Sequence, residues 1–557
     1  MNNPYQKISD ILKKCESTIP ECKYDEDPNT YREKQSPYFK LMLPEITKPV
    51  EYNSGEDEIY VVSDLHIAAG RNKKGVYKGT ENFFADEPFY RFLEYARRDG
   101  VKKAENAVLI INGDVFDFIR IVDYPGRVRK IRLSKRFKSW WKHMKLEKPK
   151  VQTEEREKEF LEWQNEIFKV GIEKSLEELK NCISKREEDF GLKTDHYKTI
   201  YKLNKIKNGH SKFFDALALW ISKGNRIILV KGNHDLELWW PEVRNYIRLI
   251  LAEKINSLPR FLGGDGDLKN LENILVNNVL PNLKFIDDSV LINKDFYVEH
   301  GHRYDKVTMV LDSPVFGKTS SEINIPFGSF FNRYIINKVE LFLPFFDNLR
   351  PQGNMLSILF KENTALALKL LLRYVPFTIK ILLKHHFRYV WFMFGRVALF
   401  VLLMLIPIGV LVYFLIKYSI NIFDPPQLIQ NDPFGLGLNE KLFDALKWVG
   451  SALLSYLLAR MSAWFQLSEP DSLDRFAKMR LDANPDYRII TMGHTHNPGT
   501  YIFSGGKRFY NTGTWIPVIE TSTAEVREDK TYTFLHLIPD KEDKKKLIPA
   551  EDGLLQR

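Results

Sequence analysis

Cysteine is nearly absent: Cys15, Cys22 and Cys182 are the only three in 557 residues, and none forms a CxxC pair. That excludes a disulfide framework and points to a reducing compartment. Cys15 and Cys22 are spaced like a metal pair, but no partner ligands follow, so both read as structural. The opening MNNPYQKISDILKKCE lacks the apolar run of a signal peptide and reads as a short polar helix. The folded part of the chain is therefore expected in the cytoplasm. No internal repeat, low-complexity segment or long single-sign charge block interrupts the sequence. What is present is a composition ordinary for a folded protein, 44% hydrophobic and 28% charged, and a net charge of +10. That charge favours an anionic partner, such as a phosphorylated substrate, nucleic acid or an anionic lipid surface, without choosing among them. The length implies a large core with at least one added module.

Residues 1–57 are polar and punctuated by Pro28, Pro37, Pro44 and Pro49. Short apolar runs then end in polar clusters: Glu58–Ser63, Ala107–Asn112, Arg226–Lys231, Asp295–Glu299 and Tyr487–Met492. Each is short, mostly apolar with β-branched residues, and reads as a buried strand. Glu87–Arg98 and Lys212–Lys223 have helical spacing, so the fold class is α/β. In open α/β sheets functional groups collect at the carboxyl ends of strands, and five such endings on one edge make a site. Two long insertions interrupt this plan. The first, 118–211, opens with twelve Lys or Arg between Arg120 and Lys150, against Asp123 and Glu147. It continues as a mixed-charge helix over roughly Thr153–Arg186. The second is 303–486. The expected parts are thus an extension (1–57), a core in two pieces (58–302 and 487–540) and a tail (541–557).

The motifs at the strand ends are Asp64-Leu65-His66, Gly113-Asp114-Val115-Phe116-Asp117, Gly232-Asn233-His234-Asp235, His300-Gly301-His302 and Gly493-His494-Thr495-His496. Carboxylate, imidazole and amide oxygen suit a divalent ion of borderline hardness, Mn, Fe or Zn, with Mn the first choice. Period-two alternation at a strand end would turn Asp64 and His66 the same way, and likewise His494 and His496. An aspartate shared by two ions would hold them roughly 3.5–4 Å apart, the spacing that clamps the attacking and leaving oxygens of a phosphoester.

The five motifs, in this order, resemble those of the calcineurin-like metallophosphoesterase superfamily. The resemblance covers the motif-bearing core, not the insertions or the first 57 residues. It implies a four-layer α-β-β-α sandwich and two metal ions. Asp64, His66 and His496 would hold one ion, Asn233, His300 and His494 the other, and Asp114 would bridge them. A hydroxide between the ions would be the nucleophile. His234 would give a proton to the departing oxygen, oriented by Asp117. The chain departs from the superfamily's protein phosphatases at Phe118, where many of them carry an arginine that grips phosphate. Here that grip would fall to Arg120, His302 or Arg303, which turns the reading away from a protein phosphatase. His143, His196 and His210 are expected at the surface, and His385-His386 beside lipid headgroups.

Val397–Ile416 is twenty residues without a charge, enough to cross a hydrocarbon core of ~30 Å. It lies between His300 and His494, which must meet at one site, so the chain would cross an even number of times. Trp448–Leu467 supplies a second span, and basic residues outside the pair put the site on the cytoplasmic face. Interfacial helices over 355–385 and 441–467, or a dimer contact, are the other readings of this region. The expectation is a membrane-associated hydrolase of a phosphoester or pyrophosphate bond in an amphiphilic substrate. The alternatives are a nuclease or cyclic-nucleotide phosphodiesterase using Arg120–Lys150, and a non-catalytic membrane scaffold that keeps the fold.

Overall fold

The apolar runs become strands because their β-branched side chains pack on both faces of a pleat. The runs Glu58–Val62, Ala107–Asn112 and Ile489–Met492 are buried along their whole length. In a computed structural model the described residues are 3–17, 48–72, 75–77, 80–98, 106–125, 151–258, 268–305, 308–310, 315, 322–341, 348–350, 355–365, 473–520, 525–527, 530–544 and 546–556. The basic stretch 126–150, the apolar runs 397–416 and 448–467, Cys22, His143 and His385-His386 lie outside them. Among the described residues no helix is long and apolar enough to cross a membrane.

The chain divides into two compact units. One is Met1–Leu349 with Pro470–Arg557; the other is Arg350–Glu469, in which Met355–Glu362 is helical. The first unit holds two six-stranded mixed sheets. In the first sheet, Glu58–Val62, Ala107–Asn112, Arg226–Val230 and Leu283–Ile286 run parallel in chain order. Thr533–Pro539 and then Leu547–Gln556 extend it antiparallel. The register pairs Val62 with Ile111 and Asn112 with Val230, so three motifs leave the sheet side by side. In the second sheet Phe296–Glu299 and Ile489–Met492 are parallel neighbours. The amide of Gly493 donates to the carbonyl of His300 at 3.0 Å, which joins the last two motifs. The five strand endings therefore belong to two sheets rather than to one edge.

A shared apolar layer holds the sheets together: Ile59, Val61, Val108, Ile110 and Ile228 from the first meet Val290, Ile292, Val298 and Ile489 from the second. The other face of the first sheet, with Leu109 and Ile111, packs on helices Asp86–Arg98, Ser211–Ser222 and Pro241–Asn256. On the second sheet, Ile490 and Met492 pack on Phe476 and Leu481 of the helix Asp474–Ala483.

Two expectations change here. The mixed-charge helix breaks into Val151–Lys169, Leu176–Asn181 and Lys185–Phe190. Gly171 turns the chain at φ +79°, and Ser175–Glu178 and Ser184–Glu187 each form a capping box that starts a new helix. This part of the insertion packs into the domain, because Phe160, Trp163, Ile167, Tyr201 and Ile206 join the same core as the first sheet. Finally, His210 is fully buried, its ring held between Asp86 at 3.0 Å and Glu81 at 3.1 Å. His196 is half-buried.

Candidate metal centre

Strand alternation does not aim the motif side chains. The strands end at Val62 and Met492, before the residues concerned. Asp64 (φ 54°), His66 (φ 48°), Asp114 (φ 52°), His494 (φ 66°) and His496 (φ 56°) instead adopt the left-handed conformation. For L-residues this costs roughly 1–2 kcal/mol each, so the surroundings must enforce it. They do so through the backbone. The Asp64 carbonyl accepts from Thr514 Oγ1 at 2.8 Å and from the Trp515 amide at 3.2 Å. The His66 amide donates to the carbonyl of Asp114 at 2.8 Å. The Asp64 carboxylate accepts from the His494 amide at 3.0 Å, tying the first motif to the last. Two glycines make the approach possible: a Cβ on Gly113 would collide with the His300 ring, and one on Gly493 with the Asp64 carboxylate.

These loops gather the side chains into adjoining groups. Asp64, His66 and His496 form one, Asp114, His300 and His494 another, and His66 also groups with Asp117 and His234. His496 Nε2 lies 3.3 Å from Asp64 Oδ1 and 3.0 Å from His66 Nε2. His300 donates through Nδ1 to the carbonyl of Asn112 at 2.8 Å, which leaves Nε2 free to act as a ligand. That Nε2 is 3.1 Å from Asp114 Oδ2. Asn233 is 1% exposed, and its Oδ1 finds no hydrogen-bond partner among the described residues.

Burial opposes charge at Asp64, His66, Asp114 and His300, yet at these four the charged forms win. Although burial would lower it, Asp117, Asp64 and Asp114 raise His66 to about 10. Against the same penalty, Asp114 and Asp64 raise His300 to about 9. Burial would raise the carboxylates, but His300 and its neighbouring imidazoles hold Asp64 and Asp114 well below the usual range. The field selects positive charge, and a divalent cation answers it as a proton does. With borderline donors and a buried amide oxygen lacking a hydrogen bond, these His and Asp groups could hold a metal ion. Comparison with protein-family models, with curated proteins and with solved structures finds no match to this chain.

Beside this cluster, His234 Nδ1 lies 2.9 Å from Asp117 Oδ2. Burial lowers the His234 pKa, but Asp117 and Asp114 more than offset it, so the ring keeps its proton above the ordinary range. Asp235 ties the loops together by accepting from the Gly232 amide at 2.7 Å and the Val115 amide at 2.8 Å.

The three residues expected to grip phosphate do not form a free cationic set. Arg120 is 2% exposed and committed to Asp117, at 2.9 Å, and to Glu340. Arg303 pairs with Asp288. His302 is buried, and burial followed by the charges of His300, Arg303 and His494 keeps it neutral. Arg120 and Arg303 stand beside motifs in sequence, but Asp117 and Glu340 neutralise the first and Asp288 the second.

Four participants escaped the motif reading. Asp305 and Thr308 lie 3.3 Å and 3.2 Å from His494 Nε2. Asp235 stood inside the third motif without an assigned role. Glu340 sits in the second insertion with no spacing signal to mark it.

Proposed function

We propose that this chain is a metal-dependent phosphoesterase that hydrolyses a phosphoester or pyrophosphate bond with two divalent ions, manganese the first choice. The observation that carries the reading is the placement of Asp114. Its Oδ2 is 3.1 Å from His300 Nε2 in its own group and 3.8 Å from His66 Nε2 in the other, so one carboxylate faces both groups that could each hold an ion. Asp64, His66 and His496 would hold one ion, Asn233, His300 and His494 the other, with Asp114 shared. Two sheets around a common apolar layer, with helices on their outer faces, support the four-layer sandwich that such a site accompanies.

Bound there, divalent ions supply an activated water and neutralise the phosphoryl oxygens. The chain's own groups do the rest. As the bond from phosphorus to the leaving oxygen breaks, His234 gives that oxygen a proton. Asp117 fixes the tautomer by holding Nδ1, so Nε2 is the donating atom. The Asp114 carboxylate also accepts from the His234 amide at 2.8 Å, which sets the proton donor at a fixed distance from the ion-holding groups.

For the substrate, the reading is an amphiphilic or membrane-proximal phosphate compound met at the cytoplasmic face. Its support is the net charge of +10 and the two apolar runs threaded between the fourth and fifth motifs. The test uses purified full-length chain in detergent, stripped of metal and titrated with manganese, on an aryl phosphodiester. Turnover should rise with manganese and disappear in Asp114→Asn. Equal rates in the two proteins would end the proposal. Sedimentation with anionic but not neutral liposomes is expected, and salt-sensitive binding to DNA without liposome binding would favour a nuclease.

A further inference from the structure

The helical run Phe327–Phe331, Asn332–Ile336 and Asn337–Glu340 contains a π-helical turn in its middle part. Such turns are rare in ordinary helices and recur at functional sites. Ser329, Arg333, Asn337 and Glu340 follow one another at helical spacing and are all at most 4% exposed. A buried helix face normally docks through apolar side chains, yet these four make polar contacts to the core. Ser329 Oγ donates to the carbonyl of Asn233 at 3.3 Å, and Arg333 Nη2 to that of Gly191 at 2.8 Å. Asn337 Nδ2 donates to the carbonyl of Ile119 at 2.9 Å, and Glu340 takes the Nη1 arm of Arg120.

Two of these contacts converge on His234. Asp117 Oδ2 accepts from both His234 Nδ1 and Arg120 Nε, each at 2.9 Å. The Arg120 amide reaches the other Asp117 oxygen at 3.3 Å. Glu340 thus fixes the guanidinium that fixes the carboxylate that holds the imidazole. Ser329 grips the residue just before His234. The helix that does this is encoded between the fourth and fifth motifs, outside the motif-bearing core.

We propose that Glu340 and Arg120 are positioning residues for His234, so that the inserted helix, acting through Asp117, helps to set the aim of the proton donor. The inference rests on the phosphoesterase reading for its consequence but not for its geometry. Two readouts separate them, both on the full chain.

The first compares aryl phosphates with a poor leaving group (phenol) and a good one (2,4-dinitrophenol), since only the poor one needs a proton. In Glu340→Gln, kcat for the phenyl ester should fall about 10–100-fold, the range seen when an orienting partner is lost. The dinitrophenyl ester, KM and manganese affinity should stay near wild type. A double variant, Arg120→Met with Glu340→Met, removes both buried charges and keeps the volume. It should show the same selective loss. Equal losses for both esters, or recovery of phenyl ester turnover in the double variant, would overturn the inference, because Glu340 would then only neutralise Arg120.

The second readout needs no turnover: the downfield proton resonance of His234 Nδ1–H bonded to Asp117, in metal-free protein. Glu340→Gln should shift or broaden it, and an unchanged resonance overturns the inference. If wild type hydrolyses neither ester while the resonance responds, the phosphoesterase reading fails and the positioning stands.

Discussion

The two ends of the site are built by different means. At the proposed ligand end, five side chains are aimed by left-handed backbone in short loops, locked by amide and carbonyl bonds between motifs. At the proposed proton-donor end, aim comes from a line of side chains, His234, Asp117, Arg120 and Glu340, in which Arg120 and Glu340 are 220 residues apart. Atoms that share an ion need fixed positions, and backbone supplies them at the cost of local strain. A proton donor needs a fixed tautomer and direction, which a hydrogen-bonded carboxylate can give. The contrast also explains why one end is spelled in motifs and the other is not.

Substitutions can break this contrast or sharpen it. Asp114→Asn should act on every substrate alike, because it removes the shared carboxylate. A loss of several kcal/mol, at ~1.4 kcal/mol per tenfold, is about 10³-fold or more in kcat, with manganese affinity lowered in calorimetric titration. His234→Ala should cost roughly 10²-fold on esters with poor leaving groups, the lower end of what a positioned acid contributes. Metal content measured by atomic absorption should be unchanged, which separates the two ends. Asp305→Asn should weaken manganese binding about 10–100-fold, since Asp305 lies 3.3 Å from His494 Nε2 and orients a proposed ligand. An effect on kcat alone would move Asp305 to the proton end.

The smallest effect concerns the brace behind the first loop. Glu81 accepts from the amides of Ala68 and Gly70, just beyond His66, and His210 pairs with it. Burial would lower His210, but Glu81 and Asp86 raise it from 6.5 to about 9. A raised pKa means the stabilisation is fully present below pH 6.5 and is lost as pH rises through about 9. Urea midpoints should therefore fall across that window by an amount worth at most ~3 kcal/mol. In His210→Gln this part of the pH dependence should vanish.

The sequence was most legible where one local rule suffices. AVLIIN reads as a strand, and Ala107–Asn112 is one. Asp64, His66, His494 and His496 were found by motif, although strand alternation was the wrong reason for their convergence, since positive φ past the strand ends does the aiming. The proposed proton-donor end is half legible: Asp117 and His234 stand in motifs, whereas Glu340 reaches Arg120 only through tertiary packing. Arg120 itself reads as a phosphate grip until the carboxylates on both sides of it are seen. His210 reads as a surface residue for the same reason, because Glu81 and Asp86 are more than 120 residues away.

The account stands or falls on Asp114 being shared by two ions. Low-temperature electron paramagnetic resonance of the full chain loaded with two equivalents of manganese tests this directly. The expected result is the multiline spectrum of an exchange-coupled pair, replaced by uncoupled ions in Asp114→Asn. A simple six-line spectrum in the wild-type protein, from isolated or unbound manganese, would contradict it.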